Sequence, residues 1–267
     1  MYEARSPGRL LEIGLKLREQ GGEGLLISGG SLADGTVPLH GYLETIASLK
    51  ELGFKIAVHT GLVDKELACG LAEAGTDIAM IDIIGSDETI SDVYHLDATT
   101  RDFENSLSLL TESGVKTAPH VVIGLHFGEI RGEAAALEMI ARYPVHSLVL
   151  VVLTPQPGTP MQDVVPPSPG RVGEIFLKAR LSLPELPILL GCTRPYGDHK
   201  TQTDTLALKS GLNGIAYPAE GIVELAVDLG LEPVFSEQCC ALIYQNQPTE
   251  ESHEKLAADG HRSTHGG

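Results

Sequence analysis

Polar and reactive side chains in this 267-residue chain gather at the ends of short apolar runs. The first run, Leu25-Leu26-Ile27, closes in Ser28-Gly29-Gly30. Paired glycines there leave backbone N–H groups open to a ligand with no side chain in the way. The same pair could equally do no more than turn the chain. His59-Thr60-Gly61 ends a second run, and Asp82 lies inside a third, Ile78 to Ile84. A carboxylate in an apolar run must be hydrogen-bonded or stand at a pocket rim, because burying it alone is costly. His59 and His126 are open to three roles: metal ligand, general base or polar cap. His120, followed by apolar residues, reads as structural. Cys192 ends the run Ile188 to Gly191, and Cys239-Cys240 stand together near the C-terminus. Three thiolates brought together could hold zinc or an iron–sulfur cluster, although their spacing fits no standard zinc pattern. Thiols that never meet are the plain alternative. Cys69 falls off the apolar line of its helix and reads as an inert small residue.

The runs that carry these residues alternate with helical patterns. Ser6-Pro7 is a helix start, with Ser as N-cap and Pro at the first helical position. Leu10, Ile13 and Leu17 follow at helical spacing, and Gly21-Gly22 stops the run. Strands are expected near 25–28, 55–61, 78–85, 116–124, 147–153, 188–192 and 214–218, separated by helices. The near-continuous apolar character of 78–84 is that of a parallel strand buried on both faces. Seven βα units with short connections predict an α/β fold, a parallel TIM-type barrel. An open doubly wound sheet is the alternative. An eighth strand would come from Pro233–Phe235 or from a segment ahead of Ser6, so the barrel is expected to be incomplete by one N-terminal strand. Residues 1–245 are expected to form this single partial barrel and 246–267 a polar disordered tail. In such barrels the site lies at the C-terminal ends of the strands, which is where the unusual residues fall.

The formal net charge of −17 and pI near 4.9 argue against nucleic acid as a partner, since the chain repels phosphate backbones. No apolar run approaches the roughly 18–20 residues needed to span a bilayer, and residues 1–7 lack the apolar core of a signal peptide. A cytoplasmic protein is the default expectation. Its four cysteines are then thiols or metal ligands rather than disulfides.

Leu26-Ile27-Ser28-Gly29-Gly30, Val58-His59-Thr60-Gly61, Ile81-Asp82, and Ile123-Gly124-Leu125 with Gly132-Glu133 together resemble radical S-adenosylmethionine (radical SAM) proteins. The likeness is nearest the subgroup that includes the split, two-protein lipoyl synthases. It implies S-adenosylmethionine bound by Ser28, Gly29, Gly30, Asp82, Gly124, Leu125 and His126, with His59 lining the same cavity. It also implies a 4Fe–4S cluster, hydrogen abstraction from an aliphatic or lipoyl-type small-molecule substrate, and, as in the split enzymes, a second radical SAM subunit as partner. Cys192, Cys239 and Cys240 would hold an auxiliary cluster. The cysteine triplet C-x3-C-x2-C that binds the main cluster in that superfamily is not in this sequence. The resemblance therefore implies a truncated or inactive form, or a cluster-less relative. Two further expectations compete: a metal-dependent barrel hydrolase or aldolase using His59, Asp82, His120 and His126, and a non-catalytic partner subunit.

Overall fold

The computed structural model describes residues 2–242. The expected tail, 246–267, lies outside them. Helix α1 (Pro7–Glu19) begins as its sequence dictates, with Ser6 Oγ accepting from the Arg9 N–H and Pro7 at the start. It leads into β1 (Gly24–Ile27). The chain then alternates α2 (Leu43–Glu51), β2 (Lys55–Thr60), α3 (Lys65–Glu73) and β3 (Ile78–Asp82). Asp64 caps α3 by accepting from the Leu67 N–H at 2.7 Å. After β3 comes an excursion: a single turn α4 (Asp87–Thr89) runs into a π-turn, Ile90–Tyr94. Then follow α5 (Thr100–Glu112), opened by a Thr99/Asp102 capping box, and β4 (Thr117–Ile123). The remaining elements are α6 (Glu133–Ile140), β5 (Leu148–Val152), α7 (Pro169–Ser182), β6 (Ile188–Leu190), α8 (Asp198–Lys209), β7 (Gly214–Ile215) and α9 (Ile222–Asp228).

The strands form one parallel sheet in the order β1-β2-β3-β4-β5-β6-β7, each paired with its sequence neighbour. That is the order of a TIM-type barrel wound in sequence, here incomplete. Alternation along the strands separates two faces. Ile56, Val58, Ala79, Ile81, Val121, Leu148, Leu150 and Ile188 pack outward on the apolar faces of the helices, through Ile46, Leu49, Leu71, Leu107, Leu137 and Phe176 among others. Ala57, Ile78, Met80 and Ala118 face the lumen, where they meet Ala241 and Leu242 from the end of the described chain. Two alanines among the four leave room in the lower lumen, and Leu242, 2% exposed, fills it.

Two expectations about elements change. Pro233–Phe235 is not a strand; Val234 is 91% exposed and no ladder reaches it. Strand β3 stops at Asp82, so that residue stands at the strand's end rather than inside it, a position where a carboxylate can meet a pocket.

The end of β6 is locked by a buried ion pair. Arg194 is 2% and Asp204 0% exposed. The guanidinium bonds both carboxylate oxygens and also donates to the carbonyls of Gly191, Ala216 and Tyr217. Asp204 in turn accepts from the Ala219 N–H at 2.8 Å. One pair thus joins α8 to the loops that follow β6 and β7.

Candidate functional site

Adjacent strands β2, β3 and β4 deliver three ionisable groups to the lumen. His59 Nε2 lies 3.5 Å from Asp82 Oδ1. The rings of His59 and His120 are 5.2 Å apart between centroids. His120 is the direct ladder partner of Asp82. The Tyr94 hydroxyl, from the π-turn, donates to Asp82 Oδ2 at 3.4 Å. His120 Nδ1 is 3.1 Å from the Ala118 carbonyl. A carbonyl only accepts, so Nδ1 carries the proton and Nε2 is left for the lumen.

The electrostatics follow from this packing. Burial opposes charge on His59, but the hydrogen bond and negative charge of Asp82 outweigh it, and the imidazole pKa is raised. Burial likewise opposes charge on Asp82, and His59, then His120 and Tyr94, outweigh it, so its pKa is lowered. The two groups thus favour each other's charged forms. His120 goes the other way. Burial, reinforced by the His59 charge and only partly opposed by Asp82, pushes it down to about 4.

That buried, neutral histidine makes stability depend on pH. The unfolded chain binds a proton at His120 near pH 6.5 and the folded chain only near 4. Below pH 6.5 the unfolded state holds more protons, so stability falls as pH falls. His59 adds no slope there, because the contribution of its raised pKa is fully present below 6.5 and is lost only as pH rises through the folded value. The expected loss from His120 between pH 7 and 5 is about 2 kcal/mol. Urea unfolding at both pH values measures it, and His120→Asn should remove it.

Around this cluster lie the loops. Ser28, Gly29 and Gly30 follow β1 and are exposed. Leu26 pairs in register with lumen-facing Ala57, so alternation puts Ser28 on the lumen side. Neither Gly29 nor Gly30 has a positive φ, and a Cβ on Gly30 would meet nothing within 4 Å. At Gly30, therefore, neither turn nor packing calls for glycine. Gly124, at φ +79, does need its glycine: a Cβ there would sit 2.5 Å from Pro167. Its N–H donates to Glu133 Oε1 at 2.7 Å. Glu133 is 3% exposed, its pKa raised by burial, and it ties the turn after β4 to the start of α6. Leu125 is half-buried in the same turn.

His126 was expected on the mouth. It is 8% exposed, and its Nδ1 is 3.2 Å from the Thr89 hydroxyl, with the Phe127 ring edge-on at 5.3 Å. The ring fastens the β4 loop to α4. His120, expected to be structural, joins His59 and Asp82. Nothing in a single strand announces this, since it depends on the β3–β4 register. Tyr94 lies in the excursion after β3, and the only sequence signal for it was that the excursion is long.

The cysteines approach one end of the fold without forming one donor set. Cys192 follows β6, exposed, its Sγ 3.9 Å from the Thr193 hydroxyl. Cys239 packs against the lumen cluster. A hydrogen bond from Cys240, the Ala241 N–H and the charge of His59 hold the Cys239 thiol below the usual range, against the effect of burial. The bond to Cys239, burial and the charge of Cys192 push Cys240 up. Among the described residues no three His, Cys, Asp or Glu side chains are placed to share one metal ion. Cys192, Cys239 and Cys240, expected to share a cluster, are therefore not placed to share one ion: Cys192 follows β6 and Cys239 packs on the lumen cluster. Cys69 is half-buried on α3, away from this group.

This is a parallel (β/α) barrel with a polar cluster in its lumen and glycine-rich loops at the C-terminal strand ends. No family model matches the chain. It is 32% identical over 180 residues to the biotin synthase of Chromohalobacter salexigens, covering 65% of this chain and 46% of that protein. The biotin synthase of Marinobacter nauticus is 26% identical over 233 residues, 81% of this chain and 62% of that protein. The chain thus spans roughly half the length of the curated relatives it matches. Its fold is that of the FeFe-hydrogenase maturase HydG from Carboxydothermus hydrogenoformans, with a TM-score of 0.61 and 19% identity over 89% of this chain and 61% of that one. Methylornithine synthase (PylB) shares it with a TM-score of 0.56 and 14% identity, over 85% of this chain and 73% of that one. These likenesses support the radical SAM superfamily as the chain's wider kin. No helix of the described residues is long and apolar enough to cross a membrane.

Proposed function

We propose that the chain is a radical SAM-type barrel that binds S-adenosylmethionine at its C-terminal mouth and acts on a small molecule. The observation that carries this is Gly30, a glycine that neither backbone conformation nor packing requires, on the loop beside a preformed His59–Asp82 pair. The open space above Gly30 leaves backbone N–H groups for the amino-acid end of such a cofactor. Asp82 supplies a carboxylate for its hydroxyl groups, and the Glu133-anchored turn at Gly124-Leu125 supplies a rigid apolar wall. The sequence likeness to biotin synthases supports radical chemistry on an aliphatic small molecule as the reaction class, and sulfur insertion, as in lipoyl synthesis, is the finer form of this proposal. S-adenosylmethionine supplies a radical when an iron–sulfur cluster reduces it. The described residues do not fit that cluster, so no step is assigned through it. This chain's own part is to bind and orient the cofactor.

Calorimetric titration with S-adenosylmethionine tests the reading. Wild type should bind, and Gly30→Val should lose at least tenfold in affinity. The substitution sits in open space, so stability should change by no more than about 0.5 kcal/mol. Absence of binding to wild type overturns the proposal.

A further inference from the structure

We infer that Tyr94 is a positioning residue, which holds the Asp82 carboxylate in its pairing with His59. The inference rests on the proposed role of Asp82 in cofactor binding. The carboxylate is divided between two partners: Oδ1 faces His59 Nε2 at 3.5 Å and Oδ2 accepts from the Tyr94 hydroxyl at 3.4 Å. Asp82 and Tyr94 together line a cavity of about 40 Å³, with Ser31, Thr60, Gly61 and Phe103. A cavity needs only about 10–15 Å³ to hold a water. Without the phenol, water there can take its place on Oδ2 and leave the carboxylate free to turn from His59.

The backbone is shaped to aim that phenol. Ile90–Tyr94 is a π-turn, a rare conformation found mostly at functional sites. Its extra residue per turn rotates Tyr94 onto the side that faces β3. The turn is held at both ends. Ser86 Oγ accepts from the Thr89 N–H, and Ile90 is fully buried. His95 closes it in the left-handed region at φ 55, and the Leu96 N–H reaches back to the Ile90 carbonyl at 3.4 Å. A non-glycine residue at that φ is uncommon and carries strain that the surroundings must hold. Burial and the neighbouring Asp82 raise the phenol pKa, so Tyr94 stays a donor.

The test is Tyr94→Phe, which removes the hydroxyl and keeps the ring. Two readouts are taken: S-adenosylmethionine affinity by calorimetry and the titration of the His59 ring followed by NMR. Loss of a hydrogen bond to a charged group predicts affinity about tenfold weaker. With Asp82 turned away, His59 should titrate at lower pH than in wild type. A purely structural tyrosine would lower thermal stability and leave both readouts in place, and that result overturns the inference. If wild type binds no S-adenosylmethionine, the proposed function fails. The His59 titration still decides on Tyr94: an unchanged midpoint in the variant rejects the positioning role, a lowered one supports it.

Discussion

Asp204→Ala is expected to lower the stability of this barrel by about 3–5 kcal/mol, the usual result of removing one partner from a buried ion pair. The size follows from what is left behind. Arg194 has no route to solvent at 2% exposure, and its remaining acceptors are three backbone carbonyls, none of them charged. The Ala219 N–H loses its acceptor as well. Asp204→Asn keeps the shape but not the charge and should cost less than alanine. The double variant Arg194→Met, Asp204→Leu removes both charges and should recover much of the loss, because a buried pair replaced by apolar residues is often close to neutral. Equilibrium urea unfolding of the three variants separates these outcomes. If the single and double variants are equally unstable, the pair acts through its shape and not through its charge. Local consequences should also appear. The pair is what holds the loops after β6 and β7 together, so amide hydrogen exchange in both loops should become faster.

The framework of this protein was legible because period and punctuation agree. Ser6-Pro7 and Asp64 cap the helices they announce, and the apolar runs at 55–60, 78–82 and 148–152 became strands of a single parallel sheet. The site was half legible. Ser28, His59 and Asp82 stand at strand ends, and strand ends can be read from where apolar runs stop. Tyr94 was missed, and His120 was grouped with His59 and Asp82 only in the metal-dependent reading and otherwise read as structural, for a different reason. Their roles depend on register between neighbouring strands and on a π-turn, and no local pattern encodes either. His126 follows β4 as expected, and what its sequence position does not announce is the contact its ring makes with Thr89 from the excursion after β3, across 37 positions of sequence. Arg194–Asp204 was invisible too, since a charged residue in a loop and another in a helix are ordinary surface signals until the fold buries both.

Gly85→Ala should be among the most disruptive single-methyl changes in the described residues, about 4 kcal/mol or more, beyond the common range for overpacking. The added Cβ would stand 2.1 Å from the Gly132 carbonyl oxygen, 2.5 Å from the Ala136 nitrogen and 3.0 Å from Ala135 Cβ. Two of these atoms are backbone, so no rotamer change relieves the contact. From the other side a Cβ on Gly132 would meet Gly85 C at 2.7 Å, and Gly132 needs its φ of +96 besides. The end of β3 and the start of α6 thus touch through bare backbone. To admit a methyl, one of them must move. If α6 moves, Glu133 leaves the Gly124 N–H and the turn after β4 loosens. If the β3 end moves, Ser86 releases the Thr89 N–H and the excursion that carries Tyr94 shifts. Either way the damage reaches the site. The expected drop in melting temperature is on the order of 10 °C for a chain of this size. Gly30→Ala is the matched control, a methyl added in open space, which should leave the melting temperature unchanged. Equal melting temperatures for the two variants would mean that the β3–α6 contact is looser in solution than the 2.1 Å approach requires.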